Sequence, residues 1–291
     1  MIGFFQRKWK LLGSLLFAAL VLGLAASWLV GGALCASANH PVAKPENLAV
    51  EPVSFESTSG TMIHGWLVQP ETNRGVVILQ HGVRADKSSL VERAKFLSRA
   101  GYAVLLFDFQ AHGESIGKKI TFGFLESRDS QAAVEFVKKR FPGKPIGVIG
   151  LSLGGAAALL ARPPLEVQAL VLESVYPDVV DATKDRLELV LCRPARMLSP
   201  LLTCQFNLRI GVSPDALRPI DGAEEIKTPK LFLAGTKDLR TKFSEAQEMF
   251  ARAAEPKTFF PVEGAGHEDL HHFLGARYEQ LILDFLEKHL K

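Results

Sequence analysis

Residues 145–161 constrain the fold of this chain more than any other stretch. They read Pro-Ile-Gly-Val-Ile-Gly-Leu-Ser-Leu-Gly-Gly-Ala-Ala-Ala-Leu-Leu-Ala. The apolar run up to Gly150 suits a strand buried on both faces, and the small residues from Gly155 to Ala161 suit a helix packed close to a sheet. Glycine at 150 and 154 lets the strand turn sharply into the helix and holds Ser152 on a strained, exposed elbow. The helix N-terminus then aims free N–H groups and its dipole at an oxyanion developing on a substrate beside that serine.

The rest of the chain alternates in the same way. Strand-like runs cover Met62–Val68, Gly75–Leu79, Tyr102–Phe107, Ala169–Leu172, Lys230–Ala234 and, more weakly, Lys257–Pro261. Helical periodicity covers Ser89–Ala100 and Leu125–Phe141, and the last 20 residues look like an amphipathic closing helix. Short apolar strands alternating with helices predict an α/β fold with a mainly parallel sheet covered on both faces. In such sheets the ligand crevice lies at the carboxyl ends of the strands.

A serine hydroxyl needs a base to act as a nucleophile. His267, in Glu263-Gly264-Ala265-Gly266-His267, lies between the last strand and the closing helix, where small neighbours give the imidazole room. His271 and His272 are its rivals but fall in or near the helix. The acid that orients the imidazole is read as Asp238, in Gly235-Thr236-Lys237-Asp238 after the strand 230–234. Asp215 and Asp221 follow no strong strand. Two backbone N–H groups are expected to hold an oxyanion: Leu153, which follows the serine, and Val83, in His81-Gly82-Val83 after the strand 75–79. His81 precedes the serine and fits a loop-shaping role.

With these landmarks in order, the sequence resembles the α/β-hydrolase superfamily over residues 53–291. Asp108-Phe109-Gln110-Ala111-His112-Gly113-Glu114-Ser115 resembles the D-x-R-G-H-G-x-S loop of its serine aminopeptidase/lysophospholipase-like small hydrolases, with Gln110 and Ala111 where Arg and Gly are usual. Glu126 and Asp129 resemble a recurring E-x-x-D element, read as tying the start of a helix. The resemblance implies a serine hydrolase with the triad Ser152, Asp238 and His267.

The N-terminus carries Arg7, Lys8 and Lys10, and then no charged residue from Leu11 to Ala36. Such a run is long enough to span a bilayer's hydrocarbon core, which takes roughly 20 helical residues. The reading favours residues 1–38 as an uncleaved anchor with the rest of the chain outside the cytoplasm, because the basic flank stays inside. The alternatives are a signal cleaved near Ala36-Ser37-Ala38, a shorter apolar helix ended by Gly31-Gly32, and a lipoprotein at Cys35, which the bulky Leu34 disfavours. Residues 39–52, with three prolines, read as a linker to one domain at 53–291. In an exported domain Cys192 and Cys204 could form a disulfide or stay as buried thiols. A net charge of +3 with scattered basic residues excludes a nucleic-acid face. No Cys/His spacing resembles a zinc site, and no cofactor is expected.

Residues 176–219 stand where such folds insert a cap. Leu187, Leu189, Val190, Leu191, Met197, Leu198, Leu201, Leu202 and Phe206 predict an apolar inner face, which favours an acyl group, unless they only fill the cap's own core. The expected substrate is a carboxylic ester, a small-molecule ester or acyl compound that includes lipid-like esters. A peptidase or amidase using the same residues, and a non-catalytic binding protein on the same fold, are the alternatives; a haloperoxidase-like side reaction would need no other residues.

Overall fold

A computed structural model describes residues 2–291, with side chains described from Arg7 onward. Helix α1 (Ile2–Cys35) leads into a two-residue strand β1 (Ala38–Asn39). There follow β2 (Glu51–Glu56), β3 (Met62–Val68), β4 (Val76–Gln80), α2 (Val91–Arg99), β5 (Ala103–Phe107), β6 (His112–Gly113), α3 (Phe124–Arg140), β7 (Ile146–Leu151), α4 (Leu153–Leu160) and β8 (Ala169–Glu173). Next come α5 (Val179–Val190), α6 (Ser199–Thr203), α7 (Phe206–Ile210), α8 (Pro219–Glu225), β9 (Lys230–Gly235), α9 (Phe243–Arg252), β10 (Lys257–Val262), α10 (Leu270–Leu274) and α11 (Ala276–His289).

Eight strands form one sheet in the order β10-β9-β8-β7-β4-β5-β3-β2. From β10 to β5 every neighbour is parallel, and β3 turns the edge antiparallel. This is the mainly parallel sheet that the apolar runs predict, and its central strands are buried along their whole length. Residues of α3, α4, α8 and α9 fill one face of the core, and those of α2, α10 and α11 the other. The strand β2 begins inside the stretch read as a linker. Its residues alternate exposed and inward-facing, with Phe55 stacked on Phe136, so no continuous apolar run announces it.

Helix α1 runs through Gly31-Gly32 to Cys35 instead of ending at the glycine pair. Both glycines lie against the cap: a Cβ on Gly31 would sit 2.5 Å from Gln205 Oε1, and one on Gly32 would sit 3.2 Å from an Arg209 guanidinium nitrogen. The chain after α1 is also held. Ile120 N–H donates to Cys35 O (2.9 Å), Ala38 N–H to Ala111 O (2.7 Å) and His40 N–H to Gly113 O (2.9 Å), and β1 pairs with β6 in parallel.

The cap comprises α5, a short 3-10 helix (Arg193–Leu198), α6, α7 and a further 3-10 turn at Pro214–Ala216. Val179, Phe206, Val212 and Leu217 form its small core, with Phe206 stacked on Phe122 of the body. The expectation of an apolar inner face is corrected for most of the side chains behind it. Leu202 and Phe206 are buried, but Leu189, Val190, Leu191, Met197, Leu198 and Leu201 are exposed. Met197, Leu198 and Leu201 sit on five- and six-residue helices too short to turn every apolar residue inward, and Leu189, Val190 and Leu191 lie exposed at the C-terminal end of α5. Cys192 and Cys204 are both free and exposed, so neither the disulfide nor the pair of buried thiols describes them.

Two polar clusters, one buried around Arg93 and one half-buried around Asp185, tie these parts together. Arg93 of α2 donates to Glu173 at the end of β8 (2.9 Å), to Asp269 at the N-cap of α10 (3.0 Å) and to the Tyr278 hydroxyl of α11 (3.1 Å). The Tyr278 hydroxyl donates in turn to Glu173. Under the cap, Lys242 reaches Asp185 (2.9 Å) and Glu188 (2.7 Å) of α5, and Arg196 pairs with the same two carboxylates. Glu245 packs beside Asp185. Burial, then the adjoining Asp185 carboxyl, pushes its pKa up to about 8.

Removing a partner from a buried ion pair strands the remaining charge, which costs about 3–5 kcal/mol. Arg93→Ala is therefore expected to lower the melting temperature by roughly 6–20 °C, at about 2–4 °C per kcal/mol for a chain of this size; differential scanning calorimetry reads it. Glu245 has a raised folded pKa, so the fold favours its protonated form. Its contribution is present at low pH and is lost as pH rises from its ordinary value of 4.5 to about 8. Melting curves for Glu245→Gln should thus lie above wild type at pH 9 and merge with it near pH 4; equal separation at both pH values would contradict the assignment.

Candidate active site

Ser152 caps α4 with φ 49° and ψ −107°, a conformation an L-residue adopts only under constraint. The constraint is packing. A Cβ on Gly150 would sit 2.5 Å from Gly155 N, and one on Gly154 would run into the carbonyl of Gln80 at the end of β4. Strand, elbow and helix therefore meet backbone to backbone. Ser152 N–H donates to Glu173 O (2.8 Å), which ties the elbow to the end of β8. Its side chain lies beside the loop after β4: a Cβ on Gly82 would be 3.8 Å from Ser152 Cβ.

Asp238 follows β9 and is buried. Its Oδ1 accepts the N–H groups of Arg240 (2.8 Å) and Thr241 (3.0 Å), which fixes the carboxylate plane. Its Oδ2 lies 2.8 Å from His267 Nδ1, so the imidazole donates from Nδ1 and keeps Nε2 free for a substrate-side proton. His267 follows β10 and is half-buried. The Thr241 hydroxyl reaches Ser174 O (3.3 Å), while Ser152 is bonded to Glu173 next door. The loops after β7, β8, β9 and β10 are thus stitched side by side along one sheet edge.

The other titratable candidates are committed elsewhere. His271 packs on Phe96 and Tyr278 and bonds Glu279 (3.1 Å), while His272 is exposed. Asp221 pairs with Arg218, and Asp215 is bonded to Ser213, which caps the Pro214–Ala216 turn by accepting the Asp215 N–H. His81 is buried. Its Nδ1 donates to Gly82 O (2.8 Å) and its Nε2 accepts Phe109 N–H (3.1 Å). Desolvation lowers its pKa to about 3, so it stays neutral and shapes the loop that carries Val83. Val83 lies exposed at the tip of that loop, and Leu153 is the first residue of α4, where a helix leaves its N–H without an internal partner.

The Asp108–Ser115 loop is structural. Asp108 accepts the Lys87 and Glu114 N–H groups and the Lys87 ammonium. Ala111 takes φ 60°, which explains why glycine suits that position, and Gln110 bonds Glu126 Oε1 (2.8 Å). Glu126 also accepts from Thr121 and Gly123 at the start of α3, and Asp129 accepts Gln110 N–H and the Ser57 hydroxyl. Burial raises the Asp129 pKa to about 7. Sequence reasoning missed Arg93, which reaches the loops of both Ser152 and His267 through Glu173 and Asp269. The signal was there: Arg93 interrupts the apolar face formed by Leu90, Ala94 and Leu97. Among the described residues no group of three or more His, Cys, Asp or Glu side chains is placed to hold a metal ion.

Residues 71–201 match the family model for serine aminopeptidases of the S33 type. The chain is 26% identical over 272 residues to an α/β hydrolase domain-containing protein, WAV2, of Arabidopsis thaliana, covering 87% of this chain and 84% of that one. It is 24% identical over 235 residues to the uncharacterised protein YqkD of Bacillus subtilis, covering 79% and 77%. Among solved structures it resembles a Pyrococcus furiosus esterase with a TM-score of 0.72 at 22% identity, over 88% of this chain and 99% of that one. An esterase from Exiguobacterium antarcticum gives 0.60 at 17%, over 81% and 100%. With its strand order and its glycine-packed elbow after β7, the chain has the α/β-hydrolase fold of these solved structures and is similar to an α/β hydrolase domain-containing relative.

Proposed function

We propose that the chain is a serine hydrolase that cleaves carboxylic esters through an acyl-enzyme on Ser152. The observation that carries this reading is the 2.8 Å hydrogen bond from His267 Nδ1 to a buried, doubly anchored Asp238 carboxylate, on loops stitched to the Ser152 elbow. Asp238 holds the tautomer and steadies the imidazolium. Ser152 Oγ attacks the ester carbonyl as its proton passes to His267 Nε2. The tetrahedral oxyanion takes hydrogen bonds from the Leu153 and Val83 N–H groups. Collapse expels the alcohol, which receives the proton from His267. Water, deprotonated by the same imidazole, then attacks the acyl-enzyme and releases the acid and Ser152. The substrate is a small-molecule ester or acyl compound, and neither a cofactor nor a metal takes part.

The S33 likeness makes an aminopeptidase the second reading. Such an enzyme must hold a substrate ammonium, which calls for a spare carboxylate. The acids of α5 already have cationic partners: Asp178 with Arg218, Asp181 with Lys184, and Asp185 and Glu188 with Arg196 and Lys242. This supports the ester. Helix α1 is apolar and long enough to cross a membrane from Arg7 to Cys35. With the basic residues at its start, it supports an uncleaved anchor with the catalytic domain outside the cytoplasm.

A fluorophosphonate probe should label the full chain in detergent, and Ser152→Ala should abolish labelling; an unlabelled wild type would sink the proposal. Asp238→Asn should keep the fold and lower kcat by roughly 10³–10⁴-fold, as loss of the orienting acid does in serine hydrolases. On p-nitrophenyl esters of graded chain length and on aminoacyl-nitroanilides, kcat/KM should favour the esters; preference for the anilides would select the peptidase reading.

A further inference from the structure

The exposed apolar residues of the cap have a neighbour that says what covers them. Between Leu189 and Ile210 the sequence contains no Asp or Glu. Met197 is 84% exposed, Leu208 79%, Val190 68% and Leu191 63%, with Leu189, Leu198 and Leu201 exposed beside them. Arg196 and Arg209 in this stretch are engaged, Arg196 by Asp185 and Glu188 and Arg209 by α1. One exposed cation, Arg193, is left in this stretch, among exposed side chains that are apolar apart from the uncharged Asn207.

That surface is continuous with α1. Ser27, Gly31 and Cys35, spaced by one turn, form the inward stripe of the helix. The Ser27 hydroxyl donates to Leu201 O (2.8 Å), and Gln205 Nε2 donates to Ser27 Oγ (2.9 Å). The Arg209 guanidinium lies 3.9 Å over the Trp28 ring and donates to the Trp28 carbonyl. The outer face of α1 is apolar and exposed from Leu11 to Val30. Trp9 and Trp28 stand 19 residues apart, which at about 1.5 Å per residue is ~28 Å along the helix. That matches a hydrocarbon core of about 30 Å, at whose two faces Trp residues concentrate. Trp28 therefore marks one bilayer surface, and the cap touches α1 at that level.

We propose that α6, α7 and the Arg193–Leu198 turn dock into the bilayer leaflet on the catalytic domain's side, with Met197, Leu201 and Leu208 immersed at the headgroup–acyl boundary. The occupant of this apolar face is lipid. Mostly apolar exposed side chains, one exposed cation and no acid between Leu189 and Ile210 suit an interfacial surface. Arg209 snorkels along α1 toward the headgroups. The cap thereby rests against a reservoir of acyl chains. The proposal depends on α1 spanning the membrane, and its test separates the two.

The full chain, carrying Cys192→Ser and Cys204→Ser with the buried Cys35 retained, is reconstituted in phosphatidylcholine vesicles. An environment-sensitive fluorophore is attached in turn through Met197→Cys, Leu208→Cys, Phe17→Cys and the distant, exposed Glu166→Cys. An unchanged melting temperature checks each fold, which exposed positions should preserve. Labels at 197 and 208 should emit to the blue of the 166 label and be quenched by lipids bearing a nitroxide near the headgroup. The label at 17 should be quenched by a nitroxide deep in the acyl chain. Labels at 197 and 208 as water-exposed as that at 166, with 17 quenched, would overturn the docking and leave the anchor standing. An unquenched label at 17 would overturn both. Blue-shifted cap labels that lipid nitroxides leave bright, and that redden on dilution of protein in lipid, would assign the face to a second copy of the chain and overturn the proposal.

Discussion

The contact on which the rest depends is the approach of α4 to the sheet. Gly150, Gly154 and Gly155 leave no space for a Cβ between strand β7, the end of β4 and the helix. On the helix's other side, Gly222 of α8 meets the Leu159 carbonyl with no room for a Cβ. Contacts this close, mostly backbone on backbone with the Val175 side chain against Gly155, leave the helix no room to shift against the sheet. That rigidity lets Ser152 persist at φ 49°, where the conformation alone costs on the order of 1–3 kcal/mol. It also points the N-terminus of α4 across the strand ends, so the geometry of the serine and the direction of the helix dipole follow from the same glycines.

A rigid elbow would be of little use without loops held to the same tolerance. Arg93 supplies that hold for two of them. Its guanidinium fork binds the side-chain carboxylate of Glu173, the residue whose backbone carbonyl accepts Ser152 N–H, and it binds Asp269, two residues past His267. A buried ion pair is a weak source of stability because desolvation offsets much of the attraction. Its value here is geometric: a planar, five-donor group leaves few arrangements of α2, β8, α10 and α11 that satisfy every partner. Asp238 is fixed differently, by its own turn through the Arg240 and Thr241 amides.

The parallel core was legible because strands buried on both faces must be apolar throughout, and the runs near 77, 105, 148 and 232 carry that signal without help from tertiary context. The positions of Ser152 and Asp238 at strand ends were legible for the same reason, since each follows such a run, whereas His267 follows the weaker, partly exposed β10 and was read from its small neighbours before the closing helix. What escaped were features set by partners distant in sequence. The β2 strand alternates polar and apolar residues because it is an edge. Gly31-Gly32 looked like a helix terminator, since glycine is poor in isolated helices, yet its lack of a side chain admits Gln205 and Arg209. The apolar cap residues were read as an inner face because hydropathy reports that a side chain avoids water, not what it avoids water with. Arg93 had no recognisable partner because Glu173, Asp269 and Tyr278 come from three later elements.

The connection between α1 and the body has a mechanical consequence. A flexible linker would let a domain sample many orientations relative to an anchor. Here Cys35 O is bonded to Ile120 N–H, Ala38 pairs beside His112, and Arg84 reaches the carbonyls of Ala33 and Leu34. The Asp108–Ser115 loop, which Phe109 N–H fastens to His81 and thus to the Val83 loop, is the same loop that pairs with β1. The segment that receives the N-terminal helix and the segment that carries Val83, the proposed oxyanion donor, are therefore one body. Helix direction and active-site direction are locked together, so whatever fixes the helix also fixes the approach open to a substrate. Orientation of that kind comes without an ordering cost at the moment of binding, because the entropy was already lost when the chain folded.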